Sequence, residues 1–251
     1  MEIDRGVAEN YDELPLWSAP FGQLILDRVP LRRGQTVVDI GAGTGFLTVE
    51  LAQRSAARVI AVDPWADAMD VLRRKVEYLG LRDVELVVSD AARLELPDGS
   101  VDVVVSNLGI NNFANAATVL AECHRVLRPG GHLLISTNLV GHMQEFYDVL
   151  REVVGASAKL DEHLGHRATV EGTLDLLTTA GFAATADRTQ FSMRFADGTA
   201  LLDHYFIRLG FLDGWLDAVG PEALHATEQQ LNRRGELTLT IPAACFTAVR
   251  S

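Results

Sequence analysis

The feature that most constrains this chain is an alternation of short β-branched runs and helical stretches between residues 36 and 137. TVVDI (36–40), RVIAVD (58–63), VELVVSD (84–90), VDVVVSN (101–107) and HLLIST (132–137) read as strands. Their nearly continuous apolar character suits strands covered on both faces. Helical spacing over 44–54, 66–79 and 114–127 separates them, with Gly80 closing the second helix and Pro129-Gly130-Gly131 stopping the third. Such an alternation predicts an α/β fold, with a mostly parallel sheet and right-handed crossovers.

The rhythm breaks after Gly141. Helices are expected over 142–154, 169–180 and 197–234, the last interrupted at Gly210, Gly214 and Gly220-Pro221, with a loop or short helix over 155–167. Residues 182–195 and 236–250 read as two late strands able to pair antiparallel, Pro242 placing a bulge or edge in the second. A helix is expected from about Phe21 to Val29. The chain therefore divides into an N-terminal helical cap (1–35), a core (36–140), helical cap insertions carrying a sixth strand (141–235) and a final core strand (236–251), within one structural domain.

Hydrophobic residues make up 48% of the chain, enough for a sizeable core, and its length suits one large α/β domain. The formal charge of −12 and the scattered arginines argue against a nucleic-acid partner, which calls for a basic surface. Neither of the two cysteines, Cys123 and Cys245, lies in a metal-type spacing, and so few thiols fit a reducing, cytoplasmic setting. No apolar run approaches the roughly 18 residues of a membrane span, and the N-terminus lacks the pattern of a signal peptide.

Within the core, VVDIGAGTGFL (37–47) joins a buried strand to a helix start through a glycine-rich turn. Gly41 and Gly43 let a ligand approach the backbone, and the next helix offers unpaired N–H groups. The third glycine of a dinucleotide fingerprint is displaced: Phe46 occupies its place and the glycine falls at Gly45. A pyrophosphate site is thereby disfavoured, and a purely structural turn remains open. Asp63 ends the second strand 18 residues after Gly45. Its carboxylate can accept both hydrogen bonds of a ribose diol, or it can cap the helix that Pro64 begins. Asp90-Ala91 follows the third strand, where an acidic group can accept from an adenine amine or serve as an ordinary loop residue. Ser106-Asn107-Leu108-Gly109 follows the fourth strand. Polar or glycine residues thus stand at the carboxyl end of all four strands, where ligands bind in open parallel sheets.

Together with AVDP, SDAARLELPDGSVDVVVSNLGINN and ECHRVLRPGGHLLIST, these motifs make residues 37–137 resemble the class I S-adenosylmethionine (SAM)-dependent methyltransferases of small molecules. The stretch is similar to the ubiquinone/menaquinone C-methyltransferases. The resemblance covers about two fifths of the chain. It implies a Rossmann-like seven-stranded sheet of order 3-2-1-4-5-7-6 with strand 7 antiparallel. It implies that Asp39 and the backbone of Gly41, Ala42 and Gly43 hold the methionine part of SAM. Asp63, followed by Pro64, would take the ribose, Asp90 and Ala91 the adenine, and the backbone of Asn107 and Leu108 the amino-acid part. An N-terminal aromatic residue often closes over the cofactor in such families, which points to Tyr11 or Trp17. The motifs are specific for SAM, with S-adenosylhomocysteine as product, and nearly silent about the acceptor.

Methyl transfer from a sulfonium is an in-line displacement that gains much of its rate from alignment in a dry pocket. A general base helps only some acceptors. His142, following the fifth strand, is the candidate base, against the alternative of a helix residue with no catalytic part. His163 and His166 form an H-x-x-H pair better read as a polar loop than as a metal site. His204 and Phe211 belong to an aromatic stripe with Trp215 that either lines an acceptor pocket or is ordinary core. Trp17, Asn112, His204 and Phe211 are the candidate acceptor contacts, and the acceptor is expected to be an apolar or aromatic small molecule. Competing readings are a SAM-binding enzyme that does not methylate, such as a cyclase, and a protein or RNA methyltransferase. The latter is disfavoured because NLGINN stands where nucleic-acid amino-methyltransferases often carry [DN]-P-P-[YFW]. A non-catalytic binding module and a nicotinamide oxidoreductase are weaker still.

Overall fold

A computed structural model describes residues 8–9, 15–165 and 167–251. In chain order its elements are α1 (Pro15–Leu26), β1 (Thr36–Ile40), α2 (Phe46–Ser55), β2 (Arg58–Val62), α3 (Ala66–Leu79), β3 (Val84–Val87), β4 (Val101–Asn107), α4 (Ala116–Val126), β5 (Leu127–Asn138), α5 (Gln144–Val154) and α6 (Ala158–Gly165). They continue as α7 (Val170–Thr179), β6 (Phe182–Phe195), α8 (Gly198–Asp203), α9 (Tyr205–Gly210), α10 (Leu212–Val219), α11 (Pro221–Arg234) and β7 (Leu237–Arg250). The seven strands form one sheet of order β3-β2-β1-β4-β5-β7-β6, as the family resemblance implies. β1 pairs in parallel with β2 and β4, β2 with β3, and β4 with β5. β7 is antiparallel: Arg250 hydrogen-bonds the carbonyl of Leu127, whereas the carbonyl of Pro242 accepts from Leu139.

The chain forms two compact units. Of the described residues, the larger comprises 8–9, 15–137, 168–188 and 244–251 and holds β1 to β4, most of β5 and parts of β6 and β7. In it Val37, Val59 and Val103 alternate with Val38, Ile60 and Val104, and all six are buried, so the sheet is covered on both faces. Ile25 and Leu26 of α1 and Leu47 and Leu51 of α2 pack on the Val37–Val59–Val103 side. Met69, Leu72 and Val76, one stripe of α3, join Ala61 on β2. α4 is capped by the Asn115 side chain, which accepts from the Thr118 N–H.

The smaller unit comprises residues 138–167 and 189–243. Its core is aromatic. Trp215 is fully buried and stacks on Phe146 at 4.1 Å between ring centroids. Its indole N–H donates to the Tyr147 hydroxyl at 2.9 Å.

Several local expectations are corrected. The 197–234 region is four helices with breaks at His204, Phe211 and Gly220, and Gly214 lies inside α10. α1 starts and ends earlier than the predicted Phe21–Val29. Pro129-Gly130-Gly131 does not separate a helix from a strand; β5 already begins at Leu127 and carries these residues as a bulge. Val101 pairs with Leu127 and Val103 with His132. A Cβ on Gly131 would lie 2.8 Å from the Arg128 carbonyl oxygen, so the bulge admits no side chain there.

Candidate functional site

The carboxyl ends of β1 to β4 bring together most of the residues singled out in the sequence. The turn after β1 is tied down by its own backbone and by β2: Gly41 N–H donates to the Val62 carbonyl at 2.9 Å and Gly45 N–H to that of Ala42 at 2.9 Å. Gly41 and Gly43 adopt positive φ of 72° and 53°, the left-handed region that glycine enters freely. Space beside Gly43 is open. Gly45 has the opposite surroundings. It has φ 88° and a Cβ there would lie 2.1 Å from Leu72 Cδ1 on α3. The displaced third glycine therefore does provide close packing, against the next helix, one residue before the dinucleotide position. Lys75 of α3 donates to the Thr44 carbonyl at 2.6 Å and holds the turn from outside.

Asp63 is buried at 8% exposure, and both of its oxygens already accept backbone N–H groups. Oδ2 takes Gly43 at 2.8 Å and Oδ1 takes Trp65 at 2.8 Å. The carboxylate thus couples the β1 turn to the β2 turn. The residue at the N-cap of α3 is Trp65, so the simple capping alternative for Asp63 does not hold. A carboxylate has about four acceptor positions, which leaves two for the hydroxyls of a diol. Burial raises the Asp63 pKa, and the two backbone N–H groups oppose that rise.

Asp39 is fully buried on β1. Its Oδ2 accepts from the Thr48 hydroxyl at 2.6 Å, while Oδ1 has no hydrogen-bond partner. Burial raises its pKa to about 7; the Thr48 hydroxyl opposes this, and the nearby Asp63 charge adds to it. A buried carboxylate oxygen without a donor is expensive unless a ligand supplies one. An ammonium group would meet both the charge and the empty acceptor. Thr48 was not singled out from sequence, although its place beside Leu47 and Leu51 on the inward face of α2 is a legible signal.

Asp90 is exposed after β3, with Oδ1 accepting the Ala92 N–H at 2.8 Å, and Ala91 is buried. Pro64 is exposed. Beyond β4, Leu108 takes a positive φ of 63°, a conformation non-glycine residues adopt at a cost of about 1–3 kcal/mol when the surroundings enforce it. Its N–H donates to the Ser136 carbonyl at 2.8 Å, and its carbonyl accepts the Asn112 amide at 3.0 Å. Asn112 thus serves the loop itself. The Asn107 amide donates to the Ser18 carbonyl of α1 at 3.1 Å and accepts from the Ser136 hydroxyl at 2.9 Å. Trp17 is buried on α1, 5.5 Å from the Phe21 ring. Tyr11 and His166 lie outside the described residues.

The ECHRVLRPGG segment also has a physical reading that the sequence did not yield. Arg125 donates to the Leu94 and Leu96 carbonyls, each at 2.8 Å, and pairs with Glu122 at 2.8 Å, while Glu122 accepts the Leu94 N–H at 2.9 Å. The pair pins the loop between β3 and β4.

His142, His204 and Phe211 belong to the smaller unit. His142 is 2% exposed, with ring centroids 5.8 Å from both Tyr147 and Phe211. Burial, with Arg167 and His163 nearby, lowers its pKa to about 3. Its imidazole is therefore neutral but far less basic than a proton acceptor at neutral pH should be. His204 lies between α8 and α9 and meets Phe195 edge-on at 5.5 Å. Phe211 packs on Phe206 and Trp215, both at 5.5–5.8 Å. Among the described residues no group of three metal-ligating side chains occurs, and no helix is long and apolar enough to cross a membrane.

Residues 38–135 match the family model described as a methyltransferase domain. A demethylmenaquinone methyltransferase from Thermus thermophilus is 36% identical over 120 residues, which cover 47% of this chain and 52% of that protein. The chain spans about half the length of this curated relative. Among solved structures, the YcgJ protein of Bacillus subtilis superposes with a TM-score of 0.68 at 15% identity, covering 92% of this chain and 98% of that one. A Haemonchus contortus phosphoethanolamine N-methyltransferase in complex with S-adenosyl-L-methionine gives 0.62 at 19% identity, covering 98% of this chain and 57% of that one.

Proposed function

We propose that this chain, whose residues 38–135 match a methyltransferase-domain model, transfers a methyl group from SAM to a small-molecule acceptor. The observation that carries the reading is the pair of buried carboxylates at the ends of β1 and β2. Asp39 keeps one oxygen without a donor, and Asp63 keeps acceptor capacity beyond its two backbone bonds. A nucleotide phosphate would be repelled by these two charges, whereas an α-ammonium and a ribose diol would both be held.

Bound SAM supplies an electrophilic methyl on a sulfonium, which passes to a nucleophilic atom of the acceptor and leaves S-adenosylhomocysteine. In this reading Asp39 faces the α-ammonium and is oriented by Thr48. Gly41 and Gly43 leave the backbone of the turn free of side chains, and Ala42 packs its methyl against the Met69–Leu72 cluster. Asp63 accepts the ribose hydroxyls, and exposed Asp90 accepts from the adenine amine beside Ala91. The strained turn at Leu108, pinned by Ser136 and Asn112, holds the loop against which the amino-acid part rests.

Calorimetric titration with SAM, followed by incubation with a metabolite mixture and assay for S-adenosylhomocysteine, tests the reading. Heat on titration and acceptor-dependent formation of S-adenosylhomocysteine are expected. SAM binding without that product in any mixture would favour a cyclase-like enzyme. Absence of binding would end the proposal.

A further inference from the structure

The strand order reverses between β1 and β4, the point at which ligands enter the crevice of an open parallel sheet. β1 and β4 pair as far as Asp39 and Val105, whereas β4 and β5 pair on to Asn107 and Ser136. The Leu108 N–H, which donates to the Ser136 carbonyl, points toward β5. Successive residues of a strand turn their backbone groups to opposite neighbours, so the Asn107 carbonyl points toward β1 and the crevice. That carbonyl belongs to the peptide joining Asn107 to Leu108, whose φ of 63° is strained for a residue with a side chain. A strained peptide rotates when released, so this one must be held.

The Asn107 side chain holds it. Its Nδ2 donates to the Ser18 carbonyl of α1 at 3.1 Å, and its Oδ1 accepts from the hydroxyl of fully buried Ser136 at 2.9 Å. A carbonyl only accepts, so the NH2 end must face Ser18, and an aspartate could not make this bridge. The close approach of α1 is built in at Gly22, one turn after Ser18, where a Cβ would collide with the Phe46 ring and lie 3.4 Å from Asn107 Nδ2. Across the crevice, a Cβ on Gly41 would lie 3.8 Å from Gly109 Cα, so the loop after β4 comes close to the glycine turn. All of these residues belong to the larger unit.

We infer that Asn107 is a positioning residue whose side chain sets how strongly the site prefers SAM over nucleosides lacking the amino-acid part. The amide is occupied by α1 and β5 and acts on the ligand through the Asn107 carbonyl. The groups assigned to ribose and adenine, Asp63 and Asp90, follow β2 and β3 on the far side of β1 and are outside its reach. The inference rests on the methyltransferase reading, which supplies the ligand.

The test is calorimetric titration of the full chain with SAM, and displacement of SAM by 5′-methylthioadenosine, which keeps the nucleoside and the sulfur but lacks the amino-acid part. In Asn107→Ala the peptide is ordered only on binding, and fixing the backbone of one residue costs a factor of about five to thirty. SAM affinity should fall by that factor while methylthioadenosine affinity is unchanged. A general loss of structure would instead weaken both ligands together. Ser136→Ala removes one of the two bonds and leaves Asn107 in place, so it should lower the SAM-to-nucleoside ratio by at least about twofold, the value of one neutral hydrogen bond at its weakest. If Asn107→Ala does not fold, Ser136→Ala decides alone. A ratio that falls less than about twofold in the deciding variant, or a wild type that fails to bind methylthioadenosine or binds it as tightly as SAM, would overturn the inference. SAM binding to wild type with an unchanged ratio in the variants sinks this inference only. A wild type that binds no SAM sinks the methyltransferase reading, and this inference with it.

Discussion

Lowering the pH from 7.5 to 5.5 should weaken SAM binding by the protonation of one carboxyl group, Asp39. Its folded-state pKa is raised from 3.8 to about 7 by burial. At pH 6 only about one molecule in eleven would carry the ionised form, and an ammonium pairs with that form alone. From pH 7.5, where about three quarters is ionised, affinity should therefore fall about eightfold by pH 6, equivalent to about 1.3 kcal/mol, and about 25-fold by pH 5.5. The ligand's α-amino group, if it titrates near 7.7–8.0, is about two thirds protonated at pH 7.5 and fully so by pH 6, which offsets less than about twofold of the fall. The stability of the ligand-free protein should move the other way. A raised carboxyl pKa means that the folded state holds a proton the unfolded chain has released. That contribution is fully present below pH 3.8 and is lost as pH rises through about 7. At 1.36 kcal/mol per tenfold, the loss is on the order of 4 kcal/mol. Calorimetric affinity at half-unit pH steps, with thermal unfolding in parallel, measures both slopes. Asp39→Asn should flatten both. A wild-type affinity that changes less than about threefold across the range, or a slope unchanged in Asp39→Asn, would refute the assignment of the ammonium to Asp39.

Asp63→Asn keeps the shape of the side chain but places an amide NH2 against one of the two backbone N–H groups it now accepts, Gly43 or Trp65. Loss of one charge-assisted bond and of the diol contact should weaken SAM binding by about 2–4 kcal/mol, or roughly 30- to 1000-fold; calorimetry showing a change under threefold would contradict the ribose role. Gly45→Ala should destabilise the fold by about 2–4 kcal/mol, because the added methyl meets Leu72 at 2.1 Å and the backbone stays at φ 88°. Denaturant unfolding reads that loss, and the Gly45→Ala/Leu72→Ala pair should cost less than the sum of its two single variants, since removing the Leu72 side chain relieves the clash.

The sequence alone determined the layered α/β architecture and, through its family resemblance, the sheet order, and it pointed to the carboxyl ends of β1 to β4 as the place of the proposed site. These follow from local signals: hydrophobic period, glycines at turns and acidic residues just past strands act over a few residues and can be read along the chain. What only the tertiary structure decided concerns surroundings assembled from distant segments. Gly45 is needed because Leu72, 27 residues later, leaves no room for a Cβ. Asp39 holds its proton near neutrality because packing removes its water and leaves Oδ1 without a donor. Pro129-Gly130-Gly131 is a bulge because β5 continues pairing with β4 on both sides of it. His142 loses basicity because its environment is aromatic and shares the charge of Arg167, neither of which its place after the fifth strand reveals. Desolvation, close approach and unmet hydrogen bonds are sums over non-local neighbours, so a one-dimensional pattern identifies the residues that can act but not the protonation state or the room in which they do so.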